Sequence, residues 1–316
     1  MSNKKIVILG TGGTIAGKAG SASDNVAYVA AQLGVEQLVA AIPALAGAGN
    51  LLVEQVAQID SKDMTFEVWA DLAARVSHFL DRDDVQGIVI THGTDTLEET
   101  AYFLQAVLNP AKPVVLTCAM RPATSLAPDG PQNVMDAVAV VSHVGASGVV
   151  LVCAGTIHGA YDVQKIHTYR LDAFSSGDAG PIGLVEEGQA VLWRNWPVAQ
   201  SVQSSIAAKF IAHKVSGRPW PKVEIVMSHA GAGTMVVDAL VAAGVQGLVL
   251  ASTGNGSLHR SLEAALFAAQ ASGVQLVRAS RCPNGRILPK SDDRIADSKG
   301  LSAVKARIDL ILRLLA

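Results

Sequence analysis

Residues 85–100 constrain this chain more than any other stretch. Val85-Gln-Gly-Ile-Val-Ile90 is a short, apolar, β-branched run, the pattern of a strand buried in a parallel sheet. Thr96-Leu-Glu-Glu99 has the form of a capping box and predicts a helix running on through Tyr102, Phe103 and Leu104. The residues between them, Thr91, His92, Gly93, Thr94 and Asp95, are polar or lack a side chain. In an open α/β sheet such residues stand at the carboxyl end of a strand, where ligands bind. The unpaired amides of the helix start beside them suit an anion or a carbonyl oxygen. A hydroxyl and a carboxylate side by side at that turn point to chemistry on a small polar molecule.

Taken alone, Thr94 and Asp95 read first as helix caps, because caps favour these residue types. A second element of the same kind shifts the balance. Lys4-Lys-Ile-Val-Ile-Leu9 is a strand candidate and leads into Gly10-Thr-Gly-Gly-Thr-Ile-Ala-Gly17. Here again a threonine, Thr14, sits on a glycine-rich turn at the end of a buried strand. Two threonine-bearing strand ends can converge on one pocket.

The 316 residues, 50% of them hydrophobic, suffice for a sizeable core and more than one domain. A net charge of −2 leaves no electrostatic footprint for nucleic acid. An aromatic content of 4% argues against a stacking platform for single strands. No apolar run approaches the roughly 20 residues that a membrane helix needs. No apolar segment with a cleavage site precedes the first strand, so a cytoplasmic protein is expected. Cys118, Cys153 and Cys282 lie far apart and read as reduced thiols, with no nearby histidine and turn glycine to make one a nucleophile.

Strand and helix signals alternate along the chain. After the first turn, residues 17–25 are small and polar with Tyr28 just beyond, the composition of a mobile lid. A helix is expected over 35–41, a strand over 51–59 and a helix over 66–80. Beyond the central element come a strand at 113–118, a proline-rich loop, a helix from Asn133, a strand at 148–153 and a polar stretch at 156–168. Residues 183–193 read as a hairpin. Residues 197–221 are less patterned and end in Gly217-Arg-Pro-Trp-Pro221. A second alternation follows: strands at 223–227, 247–250 and 274–277, with helices at 234–243, 257–271 and 303–315. The fold expected is α/β: a larger N-terminal domain built on a doubly wound sheet (1–196), a linker (197–221) and a smaller C-terminal α/β domain (222–316).

Nucleotide binding is excluded on the motifs. Gly12-Gly-Thr-Ile-Ala-Gly17-Lys18 fits a P-loop until Ala19, which stands where the metal-binding hydroxyl belongs. Gly10-Thr-Gly12-Gly-Thr-Ile15 fails the dinucleotide pattern at its third glycine. The eight histidines show no H-x-x-x-H or H-x-H pair, so no metal site is expected. His92 reads as a hydrogen-bonded structural residue rather than a base.

Thr11-Gly-Gly-Thr-Ile-Ala-Gly17 and Thr91-His-Gly-Thr-Asp-Thr-Leu-Glu-Glu-Thr100 resemble the two signature segments of the bacterial L-asparaginase (asparaginase/glutaminase) family. Ile59-Asp-Ser-Lys-Asp-Met64, Ala119-Met-Arg-Pro122 with Asp129-Gly-Pro131, and Asp162-Val-Gln-Lys165 are similar too. In the C-terminal part, Thr253-Gly-Asn-Gly256 and Val277-Arg-Ala-Ser-Arg281 also match. The resemblance runs in order along nearly the whole chain. It implies hydrolysis of asparagine, and of glutamine as a second substrate, to the acid and ammonia without a cofactor. Thr14 would be the nucleophile, with Tyr28 of the lid beside it, and Thr94, Asp95 and Lys165 would form the second catalytic group. Ser61 would bind the substrate carboxylate and Asp95 its ammonium, with Gly93 and Thr94 also in the binding set. The resemblance further implies a homotetramer with shared active sites, Asn255 completing a neighbour's pocket.

A threonine hydroxyl is a poor nucleophile until a base takes its proton. Lys165 can be that base only if neutral, which needs burial, whereas Asp95 beside it favours the charged form. Outside the resemblance, Lys165 would be read as a solvated lysine, Tyr28 as a loop anchor and Ser61 as a helix cap. Two positions depart from the family pattern. Lys62 stands where the family commonly has glutamine, and no acid follows Arg281 until Asp292, where better-known members offer a glutamate to the neighbouring subunit. Two other readings compete. One is an ammonia-producing amidase subunit of a tRNA amidotransferase, which would need a partner subunit and an extra N-terminal module. The other is an amino-acid sensor that kept the fold and lost turnover.

Overall fold

A computed structural model describes residues 4–47, 49–197 and 204–315. The chain divides into two compact units, Met1–Gln203 and Ser204–Ala316.

The first unit runs β1 (Lys5–Gly12), β2 (Lys18–Ala19), β3 (Tyr28–Val29), α1 (Val35–Ala40), β4 (Leu51–Ile59), α2 (Phe66–Leu80), β5 (Val85–Thr91), α3 (Leu97–Leu108) and β6 (Val114–Thr117). It continues with α4 (Gly130–Ser142), β7 (Val149–Cys153), β8 (Thr156–Gly159), β9 (Gln164–Lys165), β10 (Phe174–Ser175), β11 (Gly183–Glu186) and β12 (Gln189–Leu192). Eight strands make one sheet in the order β12-β11-β8-β7-β6-β5-β1-β4. From β4 to β7 every pairing is parallel, whereas β8, β11 and β12 are joined antiparallel. The sheet is therefore mixed, a parallel half extended by a meander.

The apolar runs explain the parallel half. Ile6, Ile8, Val89, Val115, Val150 and Val152 form one cluster with α1 and α4. Alternate positions on the same strands, Val7, Leu9, Ile88, Ile90 and Leu116, are also fully buried. Successive side chains of a strand point to opposite faces, so both faces are covered. The second face belongs to α2 and α3, which touch β5 and β7 and stack Trp69 on Phe103 with ring centroids 5.0 Å apart. Each fully buried aliphatic side chain contributes about 1.5–3 kcal/mol, enough to hold the strand ends rigid beneath the loops they carry.

Two expectations need correction. The box at Thr96 does not form: Thr96 occupies the N-cap of α3, but its hydroxyl donates to the Ser61 carbonyl at 2.8 Å rather than accepting from the helix. A tertiary partner outcompetes the local one. Helix α4 starts at Gly130, before Asn133, because Pro131 at the first helical turn has no N–H to lose. The stretch 197–221, expected as a linker, carries α5 (Ser204–Ser216), and residues 198–203 lie outside the described residues.

The second unit adds β13 (Val223–Met227), α6 (Met235–Ala242), β14 (Gly247–Ser252), α7 (Arg260–Ala271), β15 (Gln275–Ser280) and α8 (Ala303–Leu314). Its three strands are parallel in the order β13-β14-β15. Leu248, Leu250 and Leu276 pack with Val237 of α6 and with Leu262 and Leu266 of α7.

Candidate active site

Three neighbouring strand ends carry the site. β1 ends in Gly12 and a tight turn that holds Thr14, β4 ends in a turn that holds Ser61, and β5 ends in Gly93, Thr94 and Asp95. The Thr11 hydroxyl donates to the Thr91 carbonyl at 3.0 Å and ties the first end to the third. Gly13 has φ 84° and ψ −170°, a conformation essentially reserved for glycine. Its backbone lies so close to Gly93 that an added Cβ would come within 2.3 Å of the Gly93 Cα and N. Gly93 is pressed in turn against Ser61, whose Oγ would stand 2.5 Å from a Cβ there. These glycines let two threonine-bearing turns approach each other backbone to backbone.

The side chains above this contact meet in pairs. The Thr14 Oγ1 lies 2.6 Å from the Tyr28 hydroxyl. Tyr28 arrives on the small β2–β3 hairpin, whose loop is fastened by Ala19 N donating to the Thr124 Oγ1 at 2.9 Å and Ser125 Oγ donating to the Asn25 Oδ1 at 2.7 Å. On the other side, the Lys165 Nζ donates to the Thr94 Oγ1 at 2.8 Å and to the Asp95 Oδ1 at 2.6 Å. Lys165 sits on β9, held by its pairing with β10, and only 19% of its side chain is exposed. Thr14, Tyr28, Thr94, Asp95 and Lys165 line one cavity of about 200 Å³. Asn25, Val26, Met120, Thr168 and Tyr169 complete its wall. These five escaped the reading of the sequence. Two of them lay in stretches the sequence did mark, Asn25 at the end of the 17–25 lid and Met120 inside the matched Ala119-Met-Arg-Pro122 segment.

Ser61 is buried and does not line the cavity; its Oγ accepts from the Asp95 amide at 3.2 Å and so fixes the backbone of the β5 turn. Lys62, next to it, turns outward. Its Nζ pairs with Asp60 at 2.6 Å and with Asp63 at 3.4 Å, and its side chain is 61% exposed. The hydrogen bond to Asp60 holds this lysine above its ordinary pKa. Asn255, in the second unit, follows β14 and is exposed. Its amide clamps the Leu288 backbone in both directions, Nδ2 donating to the carbonyl at 3.2 Å and Oδ1 accepting from the amide at 2.7 Å.

His92 lies fully buried below the β5 turn. Burial pushes its pKa down to about 4, against the opposing pull of the Gly93 carbonyl, so the ring is neutral at pH 7. Since a carbonyl only accepts, Nδ1 carries the proton and donates to Gly93 O at 2.7 Å. Nε2 then accepts from the Thr100 hydroxyl at 2.9 Å, and that hydroxyl accepts from the Trp69 Nε1 at 2.8 Å. The histidine is structural, as its setting in the motif implied.

Among the described residues no cluster of three or more His, Cys, Asp or Glu could hold a metal ion, and no helix is long and apolar enough to cross a membrane.

The chain is similar to known proteins over nearly its whole length. The asparaginase N-terminal family model matches residues 5–198, and the glutaminase/asparaginase C-terminal domain matches residues 222–316. L-asparaginase 2 of Escherichia coli (strain K12) is 39% identical over 318 residues, covering 98% of this chain and 88% of that protein. A glutaminase-asparaginase of Pseudomonas fluorescens biotype A is 38% identical over 311 residues, covering 96% of this chain and 84% of its own length. The crystal structure of a probable cytoplasmic L-asparaginase from Campylobacter jejuni superposes with a TM-score of 0.90 at 35% identity, over 98% of this chain and 95% of that one.

Proposed function

The chain belongs to the asparaginase family, and from that premise we propose that it hydrolyses L-asparagine to L-aspartate and ammonia, with L-glutamine as a second substrate and Thr14 as nucleophile. The observation that carries this reading is that two hydroxyl-centred pairs, Thr14–Tyr28 and Thr94–Lys165, face one small cavity. In the first half-reaction Thr14 Oγ1 attacks the side-chain carboxamide carbon, the C–N bond breaks, and the threonine proton leaves with ammonia. Water then cleaves the acyl ester, returning a proton to Thr14 and releasing the acid. Tyr28 stands within hydrogen-bond reach of the attacking oxygen throughout. The hydrogen bond from Lys165 Nζ holds Thr94 Oγ1 in place as the second hydroxyl of the same cavity. With Asp95 Oδ1 engaged by Lys165, Oδ2 is the oxygen for the substrate ammonium. The Asp95 amide bond to Ser61, together with Gly93 and Thr94, sets the β5 turn toward the substrate carboxylate.

The reading extends to assembly. Asn255 completes the pocket of a neighbouring copy, so the active form is a closed homo-oligomer, a tetramer. Its exposed position and its two-way clamp on Leu288 suit a residue presented to a partner in a fixed orientation. A cytoplasmic location fits the free thiols of Cys118, Cys153 and Cys282. Ammonia release from asparagine and from glutamine by the purified chain alone tests the proposal. Turnover of asparagine without a partner subunit supports it, and silence toward both amides refutes it.

A further inference from the structure

Along α4 lies a second, larger cavity of about 910 Å³, within the size range of small-molecule sites. One wall is α4 and the other is the turn region of β11 and β12. Met135, Val138 and Val185 supply apolar surface. Three carboxylates also line the cavity, Asp129, Asp136 and Glu187, and no lysine or arginine is among the described residues that line it. The three acids differ in what they already hold. Asp129 is engaged, accepting from the amides of Met120 at 2.9 Å and Arg121 at 3.0 Å. Glu187 is exposed on its turn. Asp136 is 4% exposed, and among the described residues its carboxyl receives one hydrogen bond, from the Gln132 amide to Oδ1 at 2.8 Å. Its second oxygen is left without a partner at the wall of the cavity. Burial alone holds this carboxyl above the ordinary carboxylate range, and a cation within reach would reverse that penalty.

We propose that this cavity is a binding site for an aliphatic ammonium ion, its nitrogen donating to Asp136 and its hydrocarbon chain lying against Met135, Val138 and Val185. The chemistry follows from the walls. A group with several N–H donors satisfies the open oxygen of a buried carboxylate, three negative charges with no positive one select a cation, and the apolar surface selects an alkyl body over a hydrated metal ion. The site is separate from the asparagine pocket, since no residue lines both.

Isothermal titration of the full-length chain with 1-aminobutane near neutral pH tests this, with 1-butanol as the uncharged isostere. The amine is expected to bind saturably with a dissociation constant of about 1 mM or tighter, and the alcohol at least ~10-fold more weakly. Asp136→Asn keeps the shape and a partner for Gln132 and should weaken amine binding at least ~10-fold. Ala139→Leu fills the same wall without touching the carboxyl and should weaken it as well, which guards against an Asp136 variant that fails to fold. Absence of saturable amine binding, equal binding of the alcohol, or undiminished binding by a folded variant overturns the proposal.

Discussion

Replacing Gly13 with alanine perturbs the contact on which the site depends, and its consequences can be worked out from geometry. The residue has φ 84° and ψ −170°, and holding alanine there costs about 1–3 kcal/mol in backbone strain alone. The new Cβ would stand 2.3 Å from Gly93 Cα and N, whereas ordinary contact begins near 3.4 Å, so the β1 and β5 turns must part by about 1 Å. Both obstructing atoms are backbone, so no side chain can swing away to relieve the clash. A displacement of about 1 Å between reacting groups can cost about 10²-fold in rate. We therefore expect Gly13→Ala to lower kcat/KM for asparagine by at least ~10²-fold. The melting temperature should fall by roughly 2–12 °C, at about 2–4 °C per kcal/mol for a domain of this size. Gly49→Ala, where an added Cβ meets nothing within 4 Å, is the control for any loss of a glycine. Ammonia release and scanning calorimetry on the two variants read both effects. A Gly13→Ala enzyme with kcat/KM within about threefold of wild type and an unchanged melting temperature would refute the argument that this backbone contact positions the threonines.

Three further outcomes follow from other parts of the structure. His92 has a folded pKa of about 4 against 6.5 unfolded, so on acidification the unfolded chain takes the proton first. The stability it contributes is complete above pH 6.5 and is lost as the pH falls toward 4, about 3 kcal/mol in all. His92→Asn keeps a donor for Gly93 and should flatten the fall of the urea midpoint across that window, and an unchanged slope would rule the histidine out. Lys62 is drawn outward by Asp60 and Asp63 and offers no acceptor to a substrate ammonium. A hydrogen bond to a charged group is worth about 1.5–3 kcal/mol, so the KM for asparagine should be ~1 mM or higher and Lys62→Gln should lower it, whereas a micromolar wild-type KM would show that other residues supply the contact. Light scattering should show a tetramer, or at least a dimer, and a fully active monomer would disprove the shared pocket built on Asn255.

What could be read in the sequence was whatever depends on local pattern. The apolar run of β5 marks Val85–Thr91, because burial on both faces of a sheet leaves few polar positions to blur it, and the helical spacing of α2 marks Phe66–Leu80. Thr14 and Thr94 stood out for the same reason, as polar residues directly after such runs. Long-range choices left no trace in the pattern. Thr96 belonged to a capping motif, yet its hydroxyl went to Ser61, a residue of another strand end. Met120 and Tyr169 reach the cavity only because loops remote in sequence fold over it. Lys62 could equally have faced the substrate, and two flanking aspartates decided otherwise. The antiparallel half of the sheet was visible only as one hairpin, since β8 is a four-residue strand inside a polar stretch.

The proposed mechanism uses Thr14 and Thr94 as two separate hydroxyl centres in one pocket. The most direct measurement is kcat for asparagine in Thr14→Ala and Thr94→Ala, each alongside calorimetric binding of aspartate. Either substitution is expected to lower kcat by at least ~10³-fold, a transition-state loss of about 4 kcal/mol, while aspartate binding largely survives. Near-normal turnover in either variant would contradict this and remove that threonine from the mechanism.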